Sequence, residues 1–118
     1  MAEWKPVGPE TLLADGQMAE VQVGEERVLL ARVDGKYYAA QALCPHLNGR
    51  LSRGTLNGTV VTCPVHGSQF DLQDGHCVAW VAGLTGLVRK AAQAVKKPRG
   101  LQIYATRLTD GQVWVAKE

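Results

Sequence analysis

Cys44-Pro45-His46-Leu47-Asn48-Gly49 opens a stretch that closes, at residues 63–68, on Cys63-Pro64-Val65-His66-Gly67-Ser68, with sixteen residues between His46 and Cys63. Each motif begins with Cys-Pro, and each offers one thiol and one imidazole from a segment dense in turn-forming residues. Pro45 disfavours a helical Cys44, and in an extended stretch residues two apart project to the same side, so Cys44 and His46 can reach neighbouring metal atoms. The Cys63-x-x-His66 spacing suits a tight turn, in which Gly67 permits close backbone approach. Two loops facing one inorganic core is the reading that uses all four side chains. Two Cys and two His also satisfy tetrahedral zinc, although structural zinc sites usually space their first pair by two to four residues, and Cys44-x-His46 has one.

Outward from these loops the chain reads as strand. Short runs rich in Val, Leu, Tyr and Thr alternate with turn signals, the pattern of an antiparallel all-β domain rather than of βαβ units. Asp34-Gly35, Asn57-Gly58, Asp74-Gly75 and Asp110-Gly111 each predict a hairpin turn, since Gly, Asn and Asp tolerate positive φ. Further strands are expected near Trp4, at Met18 to Val23, Thr59 to Thr62 and Leu101 to Arg107, and a β-sandwich or partly open barrel is their natural closure. Residues 84–97 depart from the pattern. There Leu84, Leu87, Val88, Ala91 and Val95 recur at three- and four-residue spacing, which predicts an inserted amphipathic helix ended by Pro98 and Gly100.

A length of 118 residues suits a single domain, 1–118. With 46% hydrophobic and 20% charged residues, the composition excludes a disordered or coiled-coil chain. Three cysteines are too few for a disulfide framework and fit a reducing compartment. The N-terminal residues lack a secretory pattern and no apolar run could span a bilayer, so a cytoplasmic, unanchored protein is expected. Cys77, beside Val78 on a strand, reads as a small buried hydrophobe, and His76, after the Asp74-Gly75 turn, as a surface histidine. Residues 75–109 carry Arg89, Lys90, Lys96, Lys97, Arg99 and Arg107 with no acid, while seven of the eleven acids precede residue 35. The basic helix can simply be solvated. It can also face an acidic redox partner or touch an anionic membrane surface. Nucleic-acid binding is not expected, because the charge is confined and lacks interleaved aromatics.

Cys-x-His, a sixteen-residue gap and Cys-x-x-His-Gly-Ser together resemble the ligand signature of Rieske iron-sulfur proteins. Leu51-Ser52-Arg53-Gly54, the Asn57-Gly58 hairpin, Phe70-Asp71 and the Asp74-Gly75 turn extend the likeness. The resemblance implies a Rieske-type antiparallel β-sandwich with two cluster-binding loops. It also implies a 2Fe-2S cluster in which Cys44 and Cys63 ligate one iron and His46 and His66 the other, with Leu47, Pro64, Gly67 and Ser68 around it. Two ferric ions, two sulfides and two thiolates then sum to zero charge, which lifts the potential above that of four-cysteine clusters. Reduction should raise the imidazole pKa values and link electron uptake to proton uptake at alkaline pH.

Departures from the high-potential branch of the family are informative. That branch braces its loops with a disulfide, and at the matching positions this chain has Gly49 and Val65. Ser68 is kept, but the position of a hydrogen-bonding Tyr holds Phe70, which has no donor. A low potential is therefore expected, in a soluble Rieske ferredoxin. By resemblance this is an electron carrier between a flavin-dependent reductase and a terminal oxygenase. The small subunit of a nitrite reductase and a zinc-stabilised interaction module are the alternatives. Catalysis by an oxygenase-type mononuclear iron is excluded, because it needs two histidines and a carboxylate, and only His76 would remain of three histidines.

Overall fold

The computed structural model describes residues 3–45, 49–65, 67–79 and 100–117. Over them the chain forms β1 (Glu3–Pro9), β2 (Met18–Val23), β3 (Glu26–Val33), β4 (Lys36–Gln41), a 3-10 turn (Leu51–Arg53), β5 (Thr55–Asn57), β6 (Val60–Thr62), β7 (Gln69–Asp71), β8 (Cys77–Ala79), β9 (Ile103–Thr109) and β10 (Gln112–Lys117). The helix expected at 84–97 lies outside the described residues, as do His46, Leu47 and His66. Among the described residues no helix is long and apolar enough to cross a membrane.

Strand β3 explains the architecture. Side chains alternate along a strand, so Val28 and Leu30 point one way while Leu29 and Ala31 point the other, yet all four are fully buried. A strand covered on both faces needs a core on each. One core lies inside a six-stranded antiparallel sheet of order β1-β10-β9-β4-β3-β2, where Val28 and Leu30 meet Val23, Tyr37, Ala39, Val113 and Val115. Residues from all six strands reach this core, and the end strands β1 and β2 approach each other, so the sheet is a partly open barrel. The other core lies between that sheet and a four-stranded one of order β5-β6-β7-β8, where Leu29, Ala31 and Ala40 meet Val61, Phe70 and Leu72. Each large apolar side chain so buried stabilises the fold by about 1.5–3 kcal/mol.

The turns follow their chemistry. Asp34 and Gly35 have φ of 51° and 80°, and Asp110 and Gly111 have 54° and 72°, as a type I′ hairpin requires. In the β5–β6 hairpin Asn57 remains in the strand, paired with Val60, and the loop is Gly58-Thr59, one residue later than the sequence predicts. Only Gly58 takes positive φ there, so Asn57 is not used for its tolerance of that region. Asp74-Gly75 lies in a longer loop, closed by Gly75 N–H donating to the Asp71 carbonyl at 2.7 Å and Asp71 N–H to the His76 carbonyl at 3.0 Å. Leu101 N–H then donates to the Gly75 carbonyl at 2.7 Å, tying the small sheet to the chain just before β9. The buried Tyr37 hydroxyl anchors the β1–β2 connection, accepting from Leu13 N–H at 3.1 Å and donating to the Glu10 carbonyl at 2.7 Å.

Candidate metal centre

Both Cys-Pro motifs are extensions of hairpins. Beyond β4 the chain folds back on itself: Leu51 N–H donates to the Ala42 carbonyl at 3.1 Å, Leu43 bridges Arg50, and Cys44 N–H donates to the Gly49 carbonyl at 2.8 Å. Beyond β6 the same device recurs, with Thr62 opposite Gln69 and Cys63 N–H donating to the Ser68 carbonyl at 2.8 Å. In each loop the cysteine amide therefore reaches the carbonyl five residues on, at 2.8 Å. The second loop adds a bond from Gly67 N–H to the Cys63 carbonyl at 3.1 Å, and Gly67 has φ of 75°, a conformation that favours glycine.

The loops also meet. A Cβ on Gly49 would lie 2.8 Å from Cys63 Sγ and 2.5 Å from Val65 Cγ2, so the first loop approaches the second as closely as a residue without a side chain allows. Gly49 and Val65 thus face each other, although neither can supply a bracing disulfide. Cys44 and Cys63 are buried, at 1% and 3% exposure, in the core shared with Leu51, Val61 and Phe70. Neither forms a disulfide.

Two thiols enclosed in an apolar core suit a group whose positive charge compensates thiolates that would otherwise be costly to bury. Hard oxygen-ligated cations do not fit this donor set. Among the described residues no three metal-binding side chains converge, since both motif histidines lie outside them. Of the residues expected around the cluster, Ser68 is buried, Gly67 half-buried and Pro64 exposed. Phe70 is fully buried beneath the loops.

The remaining expectations also find their places. His76 is exposed, with Nδ1 2.6 Å from Asp74 Oδ1, and this hydrogen bond raises its pKa above the ordinary 6.5. Asp74 is held below its ordinary 3.8, first by the His76 backbone N–H and then by the ring. Cys77 is half-buried against the core of the small sheet, and desolvation raises its thiol above 9.0. Sequence reasoning missed Gln41, which bonds the Leu43 carbonyl, and the Glu20–Arg50 pair, both at the base of the first loop. The Glu20–Arg50 pair and the Gln41–Gln102 bonds join residues distant in the chain, so no local pattern announces them.

Comparison with known proteins places the chain in a family. The family model of the Rieske [2Fe-2S] domain matches residues 3–89, and the chain belongs to that family. The cofactor it implies is a Rieske-type 2Fe-2S cluster, for which the two buried thiols and the donor chemistry of the loops are suited. The anthranilate 1,2-dioxygenase ferredoxin subunit of Burkholderia cepacia is 26% identical over 98% of this chain and 93% of its own length. Apoptosis-inducing factor 3 of Mus musculus is 40% identical over 53% of this chain, which spans only 10% of that protein's length. A solved complex of reduced oxygenase and oxidised ferredoxin in carbazole 1,9a-dioxygenase contains a chain that superposes with a TM-score of 0.77. That chain is 27% identical, with 98% of this protein and 94% of the other covered.

Proposed function

We propose that this protein is a one-electron carrier, not an enzyme, that takes electrons from a flavin-dependent reductase and delivers them to a terminal oxygenase. The observation that carries the reading is the pair of matched loops, which bury Cys44 and Cys63 in one core beside the close Gly49 contact. The near full-length likeness to a dioxygenase ferredoxin subunit supports the role and the kind of acceptor.

Cys44 and Cys63 would hold one iron and His46 and His66 the other. When bound, the cluster supplies reversible one-electron chemistry. The chain's own contribution is to hold the thiols in place through the amides of Cys44 and Cys63, and to exclude water with Leu51, Val61 and Phe70. Leu43 at the base of the first loop and Val65 near the tip of the second remain exposed, 41% and 45%, offering a partner apolar contact beside the site. Without a donor at Phe70, the potential should lie low in the Rieske range, with Ser68 retained near the thiols.

In this reading residues 1–118 form a single domain that works in the cytoplasm, and the inserted amphipathic helix expected at 84–97 lies outside the described residues. Stopped-flow mixing of the anaerobic, reduced protein with a purified Rieske oxygenase tests the role. Reoxidation should release one electron per chain within the oxygenase's turnover time. Reduced protein that no oxygenase reoxidises, while a nitrite reductase does, would redirect the assignment.

A further inference from the structure

Leu43 and Arg50 form the bridge that closes the first loop, immediately outside Cys44 and Gly49. Each is gripped from the large sheet. The Gln41 side chain donates from Nε2 to the Leu43 carbonyl at 2.7 Å, while its Oε1 accepts from Gln102 N–H at 2.8 Å. Gln41 N–H also donates to the Gln102 carbonyl at 3.0 Å, so one residue uses both ends of its amide and its own backbone between the start of β9 and the loop. On the other side, the Arg50 guanidinium lies 3.6 Å from Glu20 Oε2, which also accepts from Arg27 Nη1 at 3.0 Å. The Glu20 side chain is only 9% exposed, so this carboxylate is less screened than a surface one.

We infer that Gln41 and Glu20 are positioning residues that set the place of the Cys44 loop against Cys63. The Leu43 carbonyl belongs to the same peptide unit as Cys44 N–H. A donor on that carbonyl polarises the unit and strengthens the amide's bond to Gly49, because linked hydrogen bonds reinforce one another. Arg50 follows Gly49, whose missing side chain lets the first loop touch Cys63 Sγ. Holding Arg50 to β2 therefore fixes the approach of the two loops. This inference rests on the reading of Cys44 and Cys63 as cluster ligands.

The test compares the cluster-loaded wild type with Gln41→Met, which keeps the length of the side chain and removes both its hydrogen bonds, and Glu20→Gln, which keeps its shape and removes its charge. Cys44→Ser serves as the control on ligation. Amide exchange across residues 42–51 should quicken about fivefold in Gln41→Met, and less in Glu20→Gln, while the rest of the chain, apart from the Gln102 amide that loses its acceptor in Gln41→Met, exchanges as in the wild type. A fivefold change corresponds to ~1 kcal/mol, within the range of one hydrogen bond. The paramagnetic signal of the reduced protein should shift in Gln41→Met with its iron content unchanged. Unaltered exchange and spectrum in both variants would overturn the inference, and so would a uniform rise in exchange over the whole chain, which marks general destabilisation. A Cys44→Ser protein that keeps its cluster would overturn the ligand reading instead.

Discussion

Gly49 is the residue on which the two loops depend. Any β-carbon there would lie 2.8 Å from Cys63 Sγ and 2.5 Å from Val65 Cγ2, closer than packed side chains allow. Gly49→Ala should therefore push the loops apart and lower iron and sulfide per purified chain by more than half, while the far-ultraviolet circular dichroism stays that of the wild type. His76 offers an independent check. Its hydrogen bond to Asp74 raises its pKa, so its ring should titrate above 6.5 by NMR, and Asp74→Asn should return the midpoint toward that value. The stability from His76 is present in full below its ordinary pKa and is lost as pH rises through the raised one. That from Asp74 is present above 3.8 and is lost as pH falls through its lowered value. The pair is thus strongest in mildly acidic solution, between the ordinary 3.8 of Asp74 and the ordinary 6.5 of His76. Cys77 packs against the core that holds the other two cysteines and its thiol is pushed up by burial, and Cys77→Ala should leave iron, sulfide and spectrum unchanged.

At the scale of the element, β3 separates two functions. Leu30 faces the barrel core and Leu29 the core that holds the cysteines. Replacing either with Ala should cost about 2–5 kcal/mol in denaturant unfolding. Only Leu29→Ala should also speed the loss of cluster to a chelator, because only that side supports Cys44 and Cys63. Equal loss from both variants would mean that the two cores are not separable. The strand itself was legible as an apolar run, but its covering on both faces was not, since a run of four apolar residues is equally good inside one thick layer. Turns were legible where an Asp-Gly pair takes positive φ at both residues. Asn57-Gly58 misled by one position because a glycine alone satisfies that turn, and Gly24-Glu25, with Gly24 at φ of 61°, lacks the Asn or Asp that draws attention. The described residues 44–45, 49, 63–65 and 67–68 of the two Cys-Pro motifs lie outside strands, as expected, whereas β5 at Thr55–Asn57 was not foreseen. The closure of the loops by Cys44 and Cys63 amides, and the grip of Gln41 and Glu20, depend on the fold around them.

For the whole molecule, the chain combines a barrel with a small sheet and two Cys-Pro segments that carry the buried thiols of Cys44 and Cys63. Its turn and strand patterning made the all-β fold legible, and the Cys-x-His and Cys-x-x-His motifs pointed to the family before any fold was known. The potential is a property of this assembly. With Phe70 in place of a donor and Gly49 facing Val65, the midpoint measured by redox titration should fall in the lower half of the Rieske range, roughly −150 to +300 mV. Electron paramagnetic resonance of the anaerobically purified, dithionite-reduced protein shows whether the two loops hold the cluster. A rhombic signal with two irons and two sulfides per chain is expected, absent when any one of Cys44, His46, Cys63 or His66 is replaced. A colourless, silent protein containing zinc, or a signal that survives those replacements, would contradict that expectation.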